Sequence, residues 1–244
     1  MTPALAFLLL GTLFDQSIEK VMNQQFPDPA LSYVVLDSVA GKVIAQRWKN
    51  ADRPVPVGSL VKPFLALAAS RAGQFPEYTC NPKQCWLPRG HGSIGITQAI
   101  AHSCNSYFLQ IASKADPDFL SRFGLTSPPR NASAQTWIGL GREWKLSPLA
   151  VVEAYRMLAA NPQAEPIRAG MLRSSQTGTG KAFGRKTMVK TGTAPCSHVA
   201  ELPGDGYVVA ITPKVTLLVQ MHGAPGAVVA ATGGKMLRVL LDGK

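Results

Sequence analysis

Strand-like segments occur near both ends of the chain, and a long helical stretch separates the two sets. The β-rich segments are residues 31–36, 43–48, 187–193, 206–212 and 214–222, and a closing helical pattern covers 227–241. A sheet in a small domain needs helices to bury its faces. The order therefore predicts an α+β fold, namely a five-stranded antiparallel sheet flanked by helices, with an inserted all-helical subdomain over about 65–185.

The first 26 residues allow two interpretations. The apolar run within residues 1–14 is too short for a transmembrane helix and has the length of a signal-peptide core, although no Lys or Arg precedes it and no clear cleavage site follows. Phe14, Ile18, Val21, Met22 and Phe26 also fall near helical spacing, which predicts an amphipathic helix packed on a sheet. We favour an export signal that runs into this helix, followed by one domain over residues 27–244.

The charge balance is strongly basic. The chain has 25 Lys and Arg against 14 Asp and Glu, a net charge of +11, which suits nucleic acid, anionic lipid or an acidic cell-wall polymer. The basic residues are scattered, so a solvated basic surface is an equally good interpretation. The sequence contains no nucleic-acid module, phosphate-binding loop, dinucleotide fingerprint or zinc-type cysteine spacing, so we predict no nucleic-acid partner, no cofactor and no metal.

The four cysteines do not decide the redox compartment. Cys80 and Cys85 bracket a Pro-containing loop and would form a small disulfide in an exported protein or stay reduced otherwise. Cys104 and Cys196 are interpreted as packing residues or free thiols. The titratable side chains interpreted as structural are His91, His102 and Glu153.

Ser59 and Lys62 lie three positions apart at the start of an apolar run. Residues at this spacing share a helix face, so the Lys62 amine could serve as a base for the Ser59 hydroxyl. The pattern arises readily by chance, and a capping serine with a solvated lysine is the simpler alternative. Pro63 also disfavours helical geometry at Lys62.

Two further motifs follow in order and give the pair its weight. They are Ser103-Cys104-Asn105 and Lys190-Thr191-Gly192-Thr193. Together with their flanks, the three motifs make residues 31–240 resemble a penicillin-binding protein transpeptidase domain, a superfamily shared with the serine β-lactamases.

The resemblance implies a complete acyl-transfer site without a metal. It implies four catalytic residues, Ser59, Lys62, Ser103 and Lys190, and four substrate-binding residues, Asn105, Thr191, Gly192 and Thr193. Ser59 would attack the D-Ala-D-Ala end of a peptidoglycan stem peptide and pass the acyl group to an amine or to water. Because lysine is a base only when neutral, we expect burial and the second cation, Lys190, to keep Lys62 partly uncharged.

The resemblance also implies a setting and leaves alternatives open. It implies an exported protein, in the periplasm or on the outer face of the cytoplasmic membrane, that is acylated by β-lactams and works with a cell-wall synthase partner. A serine β-lactamase is the nearest alternative, and it needs a deacylation base for which the sequence offers no convincing Glu. A sensor that is acylated once and signals is the alternative from another class.

Overall fold

The structure is a computed structural model that describes residues 17–70, 73–196 and 204–243. The expected export signal within residues 1–14 lies outside the described residues. None of the helices in the described ranges combines the length and the apolar character that crossing a membrane requires.

The described residues form nine strands and eight α-helices, together with short 3-10 helices. The strands are β1 (Leu31–Asp37), β2 (Val43–Arg47), β3 (Val55–Pro56), β4 (Tyr78–Thr79), β5 (Ser93–Ile94), β6 (Lys145–Leu146), β7 (Met188–Ala194), β8 (Asp205–Ile211) and β9 (Val215–His222). The helices are α1 (17–25), α2 (Lys62–Ala69), α3 (Ile96–His102), α4 (Asn105–Ile111), α5 (Ala134–Trp137), α6 (Pro148–Ala160), α7 (Glu165–Thr177) and α8 (Gly226–Asp242).

One five-stranded sheet organises the domain, and it confirms the predicted fold class. Its strand order is β2-β1-β9-β8-β7, and every neighbouring pair is antiparallel. The hairpin of β1 and β2 thus joins β7, β8 and β9 through the β1–β9 pair, in which Leu31 lies opposite Met221. All seven residues of β8 are buried, because helices cover both faces of the sheet.

Alternation along the strands divides the core into two parts. Val34 and Val209 point to the face covered by the helices between β2 and β7, where a large apolar cluster lies. Tyr33 and Val208 point to the opposite face, where α1 and α8 cover the sheet. Burying a side chain of this kind contributes about 1.5–3 kcal/mol, so the period-two pattern fixes which face each strand presents.

The described part of the N-terminal segment forms the expected amphipathic helix. Met22 on α1 is fully buried, and Ile18 and Phe26 pack against the same cluster. Val21 departs from the expected pattern, since 41% of it is exposed.

Between β2 and β7 the chain is mostly helical, although the segment predicted as all-helical also contains the short strands β4, β5 and β6. Two of its helices, α5 and α7, have no clear helical pattern in the sequence. Ser147 caps the start of α6, where its hydroxyl accepts a hydrogen bond from the Ala150 N–H at 3.0 Å. α7 was missed because its sequence is polar and few of its apolar side chains are buried. It packs through Gly170, where a Cβ atom would lie 2.6 Å from the Thr97 carbonyl oxygen of α3.

Candidate active site

Ser59 lies in a single 3-10 turn, Gly58–Val61, that leads directly into α2. The Lys62 N–H donates to the Ser59 carbonyl oxygen, and Lys62 is the first residue of the α-helix. Pro63 therefore occupies the first helical turn, where an N–H group would have no partner within the helix. The 3-10 start resolves the conflict between Pro63 and a helix that carries both Ser59 and Lys62.

Gly58 brings the Ser59 turn against β7. Its φ is +59°, a left-handed conformation that side chains rarely adopt, and a Cβ atom there would overlap the Thr193 carbonyl oxygen. The backbone before the candidate nucleophile therefore touches the strand that carries the third motif. Only glycine fits this approach.

Lys62 is fully buried, and its amine is held by the second motif. Nζ donates to the Asn105 Oδ1 at 2.6 Å, to the Ser103 carbonyl oxygen at 2.9 Å and to the Ser103 Oγ at 3.3 Å. Among the described residues, no hydrogen bond joins the Lys62 amine to the Ser59 hydroxyl. Ser59 and Lys62 thus lie close together at the start of one helix, as the Ser-x-x-Lys spacing predicts. The hydrogen bonds of the Lys62 amine, however, are made to Ser103 and Asn105.

Ser103 stands at the junction of α3 and α4 in an unusual backbone conformation. Its φ of 50° and ψ of 42° are left-handed, which is uncommon for a residue other than glycine and is often found at functional sites. The conformation ends α3 and turns the Ser103 hydroxyl between two amines. Lys190 Nζ donates to Ser103 Oγ at 2.9 Å and to the Thr191 carbonyl oxygen at 2.7 Å.

Both lysines are easier to deprotonate than free lysine. Burial lowers the pKa of Lys62 to about 7, and the neighbouring Cys104 and Cys85 oppose this shift. Burial also lowers the pKa of Lys190 well below its ordinary value, and the charge of Lys62 lowers it further. Burial therefore lowers the pKa of Lys62 as expected. The repulsion between the two cations lowers the pKa of Lys190 and not that of Lys62.

The third motif lies on an edge strand. β7 is the last strand in the sheet, so one side of it pairs with β8 and the other side faces the site. The Thr193 hydroxyl accepts a hydrogen bond from the Gly226 N–H at the start of α8, at 3.0 Å. The Thr191 hydroxyl donates to that of Thr179 at 2.6 Å.

A cavity of about 850 Å³ joins most of the predicted site residues. Those that line it are Ser59, Ser103, Asn105, Thr191, Gly192 and Thr193. The two lysines are not among the lining residues and contact the cavity through Ser103. Edge-strand geometry and a wide cleft of this size suit an extended peptide-like ligand.

The cavity also has walls that the sequence motifs did not indicate. Trp86 and Leu140 line it and are 53% and 39% exposed, which is unusual for large apolar side chains. Thr179 and Lys181 contribute from the turn after α7, and residues 225–227 from the start of α8. Trp86 and Thr179 lie in loops outside the three motifs, so only the folded arrangement places them at the cavity.

Solved structures of penicillin-binding proteins share this fold. The penicillin-binding protein 2 of Pseudomonas aeruginosa, solved in complex with WCK 5153, superposes with a TM-score of 0.75 at 16% identity, over 93% of this chain and 74% of that one. The transpeptidase domain of Burkholderia pseudomallei penicillin-binding protein 3 gives a TM-score of 0.71 at 15% identity, over 96% and 94% of the two chains. The penicillin-binding protein 2 of Helicobacter pylori, in complex with MreC, gives 0.75 at 16% identity, over 93% and 62%.

Sequence comparison identifies the family. The family described as the penicillin-binding protein transpeptidase domain matches residues 31–219, which is most of the chain. No curated protein has a matching sequence. The chain therefore belongs to the penicillin-binding protein transpeptidase family, as its three motifs predicted.

Proposed function

We propose that the protein is an active-site serine acyltransferase that acts on the D-Ala-D-Ala end of peptidoglycan stem peptides, with Ser59 as the nucleophile. One observation carries the proposal. Ser59 lines the same cavity as Ser103, and the Ser103 hydroxyl lies 3.3 Å from the Lys62 amine and 2.9 Å from the Lys190 amine. Ser103 thus connects both lysines to the cavity in which Ser59 lies, which supports its proposed role as a proton relay.

In the acylation step, neutral Lys62 accepts the Ser59 proton as Oγ bonds to the carbonyl carbon of the penultimate D-alanine. The peptide C–N bond breaks, the leaving nitrogen takes a proton through Ser103, and D-alanine departs. An acceptor amine or water then attacks the ester carbon, the bond from this carbon to the Ser59 oxygen breaks, and the proton lost by the attacking group returns to the Ser59 oxygen. A β-lactam forms the same ester bond as its ring C–N bond breaks, and no fragment leaves.

Lys62 must change partners for this step, because its present hydrogen bonds go to Asn105 and Ser103. Hydrogen bonds between catalytic groups often tighten only when substrate is bound. Since Lys62 donates to Asn105 Oδ1, the Asn105 amide nitrogen is the group left to donate to the substrate carbonyl. We propose that substrate binding at Asn105 frees Lys62 to turn toward Ser59.

The Thr193 hydroxyl and the basic charge of the chain suit the carboxylate of the substrate, whereas the Thr191 hydroxyl already donates its proton to Thr179. Thr193 accepts one hydrogen bond from Gly226, so its own proton remains available for a ligand oxygen. The net charge of +11 favours approach to an acidic polymer such as the cell wall. An exported location follows from this substrate and forms part of the same proposal.

A stable acyl-enzyme is favoured over rapid β-lactam hydrolysis, because no carboxylate is among the described residues that line the cavity. Glu153, the acid considered in the sequence, pairs with Arg156 at 2.6 Å on α6. The proposed protein therefore lacks an evident base to activate a hydrolytic water. A cell-wall partner is also proposed, with support from the Helicobacter pylori neighbour, which was solved in complex with MreC.

Incubation with a fluorescent penicillin tests the proposal. We expect one covalent adduct per chain that peptide mass spectrometry assigns to Ser59, and no adduct in a folded Ser59→Ala variant. Release of D-alanine from a stem-peptide mimic distinguishes an enzyme from a sensor. Rapid loss of the adduct would indicate a β-lactamase, and folded wild-type protein that stays unlabelled would contradict acylation at Ser59.

A further inference from the structure

Three cysteines and one histidine converge beside the second motif. The sulfur atoms of Cys80, Cys85 and Cys104 and a ring nitrogen of His91 all lie within 4.8 Å of one another. All three cysteines are free thiols. The Lys62, Ser103 and Lys190 hydrogen bonds described above do not include any of these four side chains.

We propose that Cys80, Cys85, His91 and Cys104 form a tetrahedral Zn²⁺ site that fixes the loop over residues 80–91 against the Ser103-Cys104-Asn105 turn. The proposal concerns metal binding and does not depend on the proposed catalytic function. Three thiolates and one imidazole form a ligand set that is common in structural zinc sites. On binding, the metal displaces the thiol protons and forms three Zn–S bonds and one Zn–N bond.

The distances in the cluster match those of a tetrahedral site. Zinc bonds of about 2.3 Å to sulfur and about 2.0 Å to nitrogen place two sulfur atoms about 3.8 Å apart and a sulfur about 3.5 Å from the nitrogen. Cys104 Sγ lies 3.8 Å from Cys85 Sγ and 3.4 Å from Cys80 Sγ. His91 Nδ1 lies 3.3 Å from Cys85 Sγ and 3.6 Å from Cys80 Sγ.

The surroundings of His91 indicate that the ring needs a stronger partner than a thiol. Within the described residues, the hydrogen-bond partners of His91 Nδ1 are the sulfur atoms of Cys80 and Cys85. His91 Nε2 is buried there without a hydrogen bond. Ring contacts with Trp86 and His102, with centroids 5.6 and 5.3 Å away, hold the imidazole in this orientation. A metal bond at Nδ1 would offset the cost of burying this polar ring.

The loop that supplies three ligands has little other structure to hold it. Between β4 and β5 it contains a 3-10 turn, Pro82–Gln84, none of whose residues is buried. Cys80 is 4% exposed and Cys104 is fully buried, so the cluster attaches this exposed loop to the core. A structural metal can supply the stability that such a short segment cannot gain from apolar burial.

The site would also position two parts of the substrate cavity. Cys104 lies between Ser103, which contacts both active-site lysines, and Asn105, which accepts from Lys62. Trp86 follows the ligand Cys85, lines the cavity and donates through Nε1 to the His102 carbonyl oxygen at 2.9 Å. The metal would therefore act as a positioning element for the catalytic turn and for one wall of the cavity.

Sequence reasoning missed the site because the ligand spacing has no paired Cys-x-x-Cys element. Four residues separate Cys80 from Cys85, five separate Cys85 from His91, and twelve separate His91 from Cys104. The last ligand lies inside a motif that was interpreted for another purpose. Folding of α3 back over the loop brings Cys104 to the other three ligands.

Metal analysis of the full chain tests the proposal directly. Purified without chelator, or reconstituted with Zn²⁺ alone, the protein should hold one zinc per chain. Cys85→Ser should lose most of the zinc, whereas the matched variant Cys196→Ser should retain it. Zinc that is unchanged in Cys85→Ser, or lost only in Cys196→Ser, would place the metal elsewhere and overturn the proposal.

Cobalt substitution keeps the test independent of the variants, some of which could fail to fold. Co²⁺ in place of zinc should give the sulfur-to-metal charge-transfer and tetrahedral d–d absorption of a thiolate site. Removal of the metal should lower the melting temperature, and added Zn²⁺ should restore it. Absence of thiolate absorption, failure to bind either metal, or a disulfide among Cys80, Cys85 and Cys104 in the purified native protein would each contradict the site.

Discussion

The Lys190 amine donates a 2.9 Å hydrogen bond to the hydroxyl of Ser103, although the two residues lie 87 positions apart in the chain. Both are buried, and the same hydroxyl also lies 3.3 Å from the Lys62 amine. Since an amine can donate to the hydroxyl and the hydroxyl can pass its own proton on, Ser103 connects the two lysines. This contact links the helical part of the domain to the edge strand β7.

Replacing Ser103 by Ala should slow acylation sharply. Loss of a positioned proton-transfer group typically costs about 10²–10⁴ in rate, and we expect a fall of at least about 10² in acylation by a fluorescent penicillin. Stopped-flow labelling measures this rate. An unchanged melting temperature with an unchanged rate would remove Ser103 from the proton relay.

The rate of acylation should depend on pH through Lys62. Burial lowers the pKa of Lys62 to about 7, so the neutral amine that acts as a base is lost as pH falls below that value. We expect the rate to drop about tenfold per pH unit below pH 7. The Lys62→Arg variant, whose side chain stays charged, should be nearly inactive, and its acylation rate should not show this fall below pH 7.

The same shift predicts how stability depends on pH. Between about 7 and the ordinary lysine value of 10.5, unfolded Lys62 binds a proton that folded Lys62 has lost. The free energy of unfolding should therefore rise with pH across this window, and Lys62→Met should flatten the rise. The pKa of buried Lys190 is lowered in the same direction, so urea unfolding of a Lys190→Met variant serves as the comparison. An equal slope in wild type and Lys62→Met would contradict the shift at Lys62.

The strands were predictable because their signal is local. The candidate site could be proposed from the sequence because its motifs are short. All five strands of the sheet lie where the β-rich runs placed them, and the Ser147 cap followed by Pro148 at the start of α6 is a local signal of the same kind. These features depend on neighbouring residues, whose propensities can be read directly from the sequence.

The features that were missed depend on contacts between distant residues. α7 is held by the close approach of Gly170 to Thr97 and Ile100 on α3, and a small residue gives no apolar periodicity. Lys62 donates a hydrogen bond to Asn105, 43 positions away. The spacing between Ser59 and Lys62 alone could not indicate this partner. The four-residue cysteine and histidine cluster likewise exists only after α3 has folded.

Gly58→Ala should disturb the Ser59 turn more than an ordinary left-handed glycine would. At Gly58 the new Cβ meets the Thr193 backbone, whereas Gly124 has a similar φ of +67° and nothing within 4 Å of such an atom. Gly124→Ala should cost about 1 kcal/mol from backbone strain alone, and Gly58→Ala should cost about 1–3 kcal/mol more. Urea unfolding measures both costs.

Acylation provides the second comparison between these variants. Gly58→Ala should also lower the acylation rate, because Ser59 follows the displaced residue, whereas Gly124→Ala should leave the rate unchanged. Equal stability losses and equal rates in the two variants would show that the contact between Gly58 and Thr193 has no special role.

Tyr155→Phe should weaken the support beneath the nucleophile. The fully buried Tyr155 hydroxyl donates a 2.7 Å hydrogen bond to the Leu60 carbonyl oxygen, within the 3-10 turn that carries Ser59. Removing it leaves a buried carbonyl without this donor, which costs about 1–3 kcal/mol. Tyr33→Phe is the matched control, since the Tyr33 hydroxyl donates to Asn23 Oδ1 at 2.9 Å on the opposite face of the sheet. We expect both variants to lose stability in urea unfolding, and we expect only the Tyr155→Phe variant to be acylated more slowly. Equal acylation rates in the two variants would show that the Leu60 contact does not position Ser59.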